Sequence, residues 1–104
     1  MSEKLLKIIN HYEVIPQLKY FQSEVFELNE AIINAENNRL IGICREPCQS
    51  SINHIAEEIA DVEVMLLQFK EYYHIDGNEI LEIMNKKIDR TIKRMEEGYY
   101  DKCS

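Results

Sequence analysis

The chain has 104 residues, which suffice for one domain with a core of its own but not for two. Apolar residues make up 45% of it, whereas three Gly and two Pro are too few for the many turns of a β-sandwich. The net charge of −7 is opposite in sign to that of a general nucleic-acid binder. These values predict an all-α protein that does not bind nucleic acid.

The sequence shows neither a membrane segment nor an export signal. No window of about 18 residues is continuously apolar, and the start of the chain lacks the apolar run of a signal peptide. The three cysteines, Cys44, Cys48 and Cys103, are odd in number and follow no disulfide framework. We therefore expect a cytoplasmic protein with free thiols and no membrane partner.

Two amphipathic helices are predicted in the first third of the chain. The first covers residues 3–12, and the second runs from Pro16, which suits a first helical turn, to about residue 36. Apolar side chains recur every three or four residues along the second helix and form its predicted buried stripe: Leu18, Phe21, Val25, Leu28 and Ile32. Asn37 and Asn38 are predicted to end this helix.

A connecting loop over residues 37–50 is predicted from Gly42, Pro47 and the absence of a clear period. Ser50 or Ser51 is then expected to cap a third helix over residues 52–74. The apolar residues of that helix again step by three and four, which predicts that they are buried: Ile52, Ile55, Ile59, Val62, Leu66, Phe69 and Tyr73.

A fourth helix is predicted over residues 77–96. It would begin at a capping box formed by Asp76 and Glu79, and Gly98 would end it. Its inward side is predicted to carry Ile80, Met84, Ile88, Thr91 and Met95.

The predicted architecture is an all-α bundle of four or so helices. It would form a single domain over residues 1–104, of which 97–104 are a tail. Several apolar residues lie off the main stripes, namely Ile33, Val64, Met65 and Leu67. One small bundle does not bury two stripes on each helix, so we expect an oligomer that covers the second set.

Two pairs of acidic residues lie beside the predicted stripes. Glu58 and Asp61 are three residues apart on the third helix, so their side chains share one face. Glu24 and Glu27 repeat this spacing on the second helix. If the two helices pack together, four carboxylates meet and need a cation. Oxygen ligands without Cys or His suit Mg²⁺ or Mn²⁺, which indicates metal-assisted chemistry on a phosphate ester or anhydride.

The same spacing also occurs on solvated helix flanks, and two alternatives stay open. Glu27 and Glu30 have the same separation, and 19 acidic residues produce such pairs by chance. One alternative is a non-enzymatic helical dimerisation or regulatory module whose acidic flank binds a basic partner. The other is a di-iron carboxylate protein, which needs two Glu-x-x-His motifs, whereas only Glu71 and His74 fit.

The two acidic motifs resemble the signature of the MazG-like nucleoside triphosphate pyrophosphohydrolases. Ser23-Glu24-Val25-Phe26-Glu27-Leu28 is similar to the first motif, EExxE, and Glu58-Ile59-Ala60-Asp61 to the second, ExxD. Further matching strings are Gln17-Leu18-Lys19, His54 to Val62, and Lys87 with Arg94 of a trailing K-x-x-x-N-x-x-R motif. The resemblance covers most of the chain, roughly residues 8–95.

The resemblance implies an all-α fold and an enzymatic activity. The reaction would be Mg²⁺-dependent hydrolysis of a nucleoside or deoxynucleoside triphosphate between the α and β phosphates, which yields the monophosphate and pyrophosphate. The metal ligands implied by the motifs are Glu24, Glu27, Glu58 and Asp61. The resemblance also implies a homodimer or homotetramer.

Other residues receive roles on the same basis. Glu27 or Glu57, if not fully used by the metal, would orient or deprotonate the attacking water. Lys87 and Arg94 would hold the phosphates, the first as a point charge and the second as a fork.

Substrate contacts are also expected near the start of the second helix. Gln17 belongs to a matching string, and Tyr20, together with Tyr12, is expected to form a nucleobase pocket. Two positions depart from the family pattern. Ser23 replaces the first Glu, from which we expect altered handling of water or of a second metal but retained activity. Thr91 replaces an Asn and weakens the assignment of a phosphate contact there.

Overall fold

The computed structural model describes residues 1–42 and 47–98. These residues form four helices and no strand: α1 (Ser2–Tyr12), α2 (Val14–Leu40), α3 (Gln49–Tyr72) and α4 (Gly77–Glu96). The predicted all-α fold class is thereby confirmed. The chain divides into two compact units, Met1–Tyr73 and His74–Ser104. Across the two described ranges, no helix combines the length and the apolar character needed to cross a membrane.

The junction of α1 and α2 is a single residue, Glu13. Its φ of 69° lies in the left-handed region, and its N–H donates to the Ile9 carbonyl at 2.8 Å, which ends α1. Asn10 and His11 lie within α1, which remains helical up to Tyr12. Pro16 is the third residue of α2 and therefore lies in its first turn, as predicted, where its missing N–H removes no bond within the helix.

The end of α2 lies four residues beyond the predicted one. Asn37 and Asn38 remain helical, because Asn lowers helix stability by less than about 1 kcal/mol and one or two of them do not stop a long helix. The helix ends instead at Leu40, two residues before Gly42, whose φ is +82° and whose N–H donates to the Arg39 carbonyl at 3.2 Å. A glycine suits this left-handed position because it has no Cβ.

Helix α3 begins three residues before the predicted start and has a different N-cap. The helix begins at Gln49, and its N-cap is Cys48, which makes no side-chain capping bond. Ser50 and Ser51 lie inside the first turn, where backbone N–H groups need no partner from the helix and polar residues are tolerated. The Gln49 side chain supports this turn by donating to Asn53 Oδ1 at 2.9 Å.

The cysteine prediction is also corrected at this point. Cys48 is disulfide-bonded, so it is not the free thiol that the odd count of cysteines suggested. Three cysteines can form one disulfide and leave one free thiol, and their spacing alone does not show which cysteine stays free. Cys44 and Cys103 lie outside the described residues.

The core of the unit Met1–Tyr73 lies where α3 packs against α1 and α2. Its buried apolar side chains are Leu5, Ile9, Ala31, Ala35 and Met65. Helices α2 and α3 run antiparallel, since Gln17 contacts Gln68 near one end of the pair and Glu27 approaches Glu58 further along. The Phe21 and Phe69 rings pack edge to face between them, with centroids 5.7 Å apart.

The buried faces of α2 and α3 match the predicted stripes only in part. Seven of the predicted inward residues are at least 40% exposed: Leu18, Val25, Ile32, Ile52, Ile59, Leu66 and Tyr73. The other five are partly buried: Phe21, Leu28, Ile55, Val62 and Phe69. The face between the helices also carries polar residues, and Gln17, Glu24 and Gln68 are buried. Apolar residues lie on two sides of each helix, so the period alone did not decide which side faces the neighbouring helix.

Helix α4 confirms its predicted ends but not its predicted inward face. The Asp76 carboxylate caps it by accepting from the Asn78 N–H at 3.1 Å, and Gly98 follows its last turn with a φ of +73°. No residue of α4 is buried, and of the predicted inward set only Ile80 is partly covered. A single helix has no neighbour within its unit against which to bury a stripe. The proposed tail overlaps 99–104, which lie outside the described residues.

Candidate metal centre

The polar residues between α2 and α3 are arranged in steps along the antiparallel pair. Gln17 of α2 contacts Gln68 of α3 by a hydrogen bond. Seven residues further on α2 and seven back on α3 are Glu24 and Asp61, which line the same cavity. Because seven residues complete about two helical turns, these side chains repeat on the facing sides of both helices. Glu24 and Asp61 therefore lie on the sides of their helices that face the cavity, Glu24 buried and Asp61 exposed.

Three carboxylates converge one step further along. Glu24, Glu27 and Glu58 each offer a carboxylate oxygen, and these oxygens all lie within 4.8 Å of one another. Glu24 is buried, Glu58 is partly buried, and Glu27 is at the exposed edge. At this separation and an effective dielectric of about 20, the repulsion between two carboxylates is on the order of 3 kcal/mol. The fold thus holds three like charges close together, with Glu24 buried, Glu58 partly buried and Glu27 exposed.

Two oxygens of this trio are sealed and unpaired. Glu24 Oε2 and Glu58 Oε2 are inaccessible to solvent and have no hydrogen-bond partner among the described residues. A buried polar atom without a partner costs about 1–3 kcal/mol, and a charged one more. The arrangement is unfavourable by itself and becomes favourable when a cation lies between the oxygens.

The chemistry of the donors fits a hard divalent cation. All three ligands are carboxylate oxygens, which Mg²⁺ and Mn²⁺ prefer. Oxygens bound to one Mg²⁺ lie at most about 4.2 Å apart, since each bond is about 2.1 Å long. Small side-chain rotations of Glu24, Glu27 and Glu58 would therefore complete a shared site.

Asp61 and Tyr20 lie beside the trio. Asp61 is not one of the three converging residues, so the structure brings together three of the four predicted metal ligands. The pKa of Tyr20 is raised, first by the hydrogen bond that its hydroxyl makes to Glu24 and then by the charge of Glu24. Burial raises the pKa of Tyr20 further, and so do the charges of Asp61 and Glu27.

Two other polar residues of α3 surround Glu58. His54 lies one turn away, with its Nε2 3.9 Å from Glu58 Oε1, the oxygen that is not sealed. Glu57, the second candidate for activating water, is exposed and does not belong to the converging group. Of the two predicted candidates, Glu27 is therefore the one that the fold places at the trio.

A cavity of about 540 Å³ adjoins the acids. Glu24 and Asp61 form part of its wall, and Gln17, Tyr20 and Gln68 also line it. Most of the remaining wall is apolar, contributed by α1 and by the middle of α3. A concave apolar space with a few converging polar groups is the usual form of a small-molecule site.

The predicted phosphate contacts lie in the other unit of the chain. Lys87 is exposed on α4, where its carbonyl accepts a hydrogen bond from Thr91 at 2.9 Å. Arg94 is partly buried near the end of the same helix. Their roles toward a substrate stay predictions.

Two residues of the cavity were missed in the sequence. Met65 was placed off the main stripe, yet it is the most deeply buried apolar residue of α3. Gln68 lies between Leu67 and Phe69, and because both neighbours are apolar, the local sequence does not indicate that Gln68 lies on the polar face of α3. The available signal was its spacing of seven residues from Asp61, which places both on one side of the helix.

No protein-family model, curated protein or solved structure matches this chain.

Proposed function

We propose that the protein is a Mg²⁺-dependent nucleoside triphosphate pyrophosphohydrolase. The single observation that supports this most is the pair of sealed, unpaired oxygens on Glu24 and Glu58, within a trio of converging carboxylates. An acidic protein that acts on an anionic substrate needs a cation between the two, and this trio would hold one. The resemblance of the two acidic motifs to the MazG-like enzymes supports the same reaction.

The role that we propose for each residue of the trio follows from its burial. Glu24 and Glu58 would be the inner ligands of a cation, and Asp61, in the wall of the same cavity, would be a fourth ligand. The cation supplies neutralisation of the phosphate charge and polarisation of the attacked phosphorus. Glu27, at the exposed edge, accepts a proton from the attacking water. The water oxygen bonds to the α phosphorus. The bond between this phosphorus and the oxygen that bridges the α and β phosphates breaks, and pyrophosphate leaves.

The cavity beside the acids would receive the nucleoside. Tyr12 and Tyr20 both line it, which supports their expected place in a nucleobase pocket, and Gln17 lies deeper in its wall. Aromatic side chains stack on any base, so they provide affinity without choosing among bases.

The proposed reaction is tested by its products. We expect the parent to release pyrophosphate, and no orthophosphate as first product, from at least one member of a panel of common NTPs and dNTPs with Mg²⁺. The measurement uses separate assays for pyrophosphate and orthophosphate, with EDTA as the control that removes the cation. Orthophosphate as the first product would contradict cleavage between the α and β phosphates.

An oligomeric state is proposed for the same protein, a homodimer or homotetramer. The residues that support it are exposed apolar side chains seven apart, on α2 and on α3 with its C-cap Tyr73: Leu18, Val25, Ile32, Ile52, Ile59, Leu66 and Tyr73. A seven-residue spacing aligns them in one row along each helix, which is the arrangement of a helix-packing seam. Sedimentation at micromolar concentration is expected to show a dimer or tetramer, and a monomer would contradict this proposal.

A further inference from the structure

A buried pair of amides lies in the wall of the cavity. Gln17 Nε2 donates to Gln68 Oε1 at 2.8 Å, and the two residues are only 6% and 2% exposed. Both line the cavity that also reaches Glu24 and Asp61. Buried amides between two helices cost stability unless all their groups are paired, so the groups that this pair leaves unpaired are informative.

One acceptor of Gln17 and one donor of Gln68 are not used by the hydrogen bond between the two amides. Gln17 Oε1 accepts no hydrogen bond among the described residues, and it is not one of their sealed oxygens, so it keeps some contact with solvent in a residue that lines the cavity. Gln68 Nε2 has two hydrogens, and the only hydrogen bond that it donates among the described residues goes to the Met65 sulfur at 3.5 Å, a weak acceptor. The sulfur also lies 4.0 Å from Gln17 Nε2, so Met65 supports both amides.

The position of the pair matches the length of a nucleotide. Gln17 precedes Glu24 by seven residues on α2, which is about 10 Å along the helix axis. Gln68 is the same number of residues from Asp61 on α3. A nucleotide with its phosphates at the acids would therefore place its base beside the amides.

We propose that Gln17 and Gln68 read the pairing edge of the nucleobase and determine which nucleotide the protein prefers. This inference rests on the proposed function, whose substrate is a nucleoside triphosphate. The Gln17 carbonyl accepts from an N–H of the base, and the Gln68 amide donates to the neighbouring acceptor. Adjacent donor and acceptor groups are a feature of base edges, and paired amide contacts discriminate among them.

The test uses substitutions that keep shape and remove the amides. Met resembles Gln in length, so Q17M, Q68M and the double variant are compared with Q22M, an exposed glutamine on the same helix. Replacing both partners of a buried hydrogen bond by apolar groups of similar shape is often nearly neutral, so the double variant is expected to fold. Circular dichroism melts check this.

Two readouts are measured. The first is the ratio of kcat/KM between the best and worst bases in the nucleotide panel, expected to fall roughly tenfold in the double variant and to stay unchanged in Q22M. The second is calorimetric binding, in the presence of Mg²⁺, of UMP, CMP, AMP and GMP, which have no α–β bond to hydrolyse, and of counterparts methylated on the pairing edge, such as 3-methyl-UMP. Methylation is expected to weaken binding of the preferred monophosphate to the parent roughly tenfold, and to matter little in the double variant.

The second readout separates this inference from the proposed reaction. If the parent hydrolyses no triphosphate but binds a monophosphate in an amide-dependent way, the reaction is wrong and base reading is supported. If hydrolysis occurs but the double variant keeps the parent's ranking of bases, base reading is overturned. Equal binding of methylated and unmethylated monophosphates by the parent, or no binding of either, also overturns it without any variant.

Discussion

Glu58→Gln is expected to lower turnover of the preferred nucleotide by more than about a hundredfold, since even residues that only support metal ligands alter activity by up to that factor. The substitution nearly keeps the shape of the side chain but removes one of the three converging charges. It also replaces the sealed oxygen with an atom that does not bind a cation as a carboxylate does. The measurement is kcat for pyrophosphate release at saturating Mg²⁺.

The matched control for this variant is Glu63→Gln. Glu63 is also on α3 but exposed, and it does not belong to the converging group. The same change of charge and shape is therefore made away from the site, and we expect activity close to that of the parent. Full activity in both variants would mean that Glu58 is a structural residue and that the cation, if any, binds elsewhere.

Mg²⁺ is expected to stabilise the fold strongly. A cation that binds only the folded protein adds about 2.7 kcal/mol to the free energy of unfolding at a hundredfold excess over its Kd. For a chain of this size, that raises Tm by roughly 10 °C. The physical reason is that the cation relieves the repulsion within the trio and pairs the oxygens of Glu24 and Glu58. Thermal melts in Mg²⁺ and in EDTA measure the shift.

Melts of Glu58→Gln and Glu63→Gln beside the parent test whether the effect of Mg²⁺ on Tm arises at the trio. In EDTA, Glu58→Gln should be as stable as the parent or more so, because it removes a like charge from a buried cluster. In Mg²⁺, its gain in Tm should be much smaller, whereas Glu63→Gln should respond like the parent. A helical dimerisation module without a metal site predicts no Mg²⁺-dependent difference among the three proteins, and that result would favour the non-enzymatic alternative.

The helices of this protein were predictable because long amphipathic helices repeat their pattern many times. Asp76 and Gly98 were also recognised, since an Asp cap and a left-handed Gly have distinct chemistry. The ends of α2 and α3 near the predicted loop were misplaced. Asn37 and Ser50 are frequent at helix ends but only mildly unfavourable inside, so composition alone did not locate those boundaries.

The site was predictable in part, for a physical reason. Glu24, Glu27 and Glu58 were found because three-residue spacing places acids on one face, and the fold brings them within 4.8 Å. The rotation of the helices was not predictable, because apolar residues on both sides gave two equivalent stripes. Gln68 therefore escaped notice, since its role depends on contact with Gln17, a residue 51 positions away.

The most direct test of the central claim is a calorimetric titration of Mg²⁺ into the parent, Glu58→Gln and Glu63→Gln. The trio of Glu24, Glu27 and Glu58 predicts saturable binding of equal affinity in the parent and Glu63→Gln. Binding to Glu58→Gln should be weaker by at least about tenfold. Equal affinity in all three proteins, or no saturable binding in the parent, would contradict the assignment of a metal site to these carboxylates.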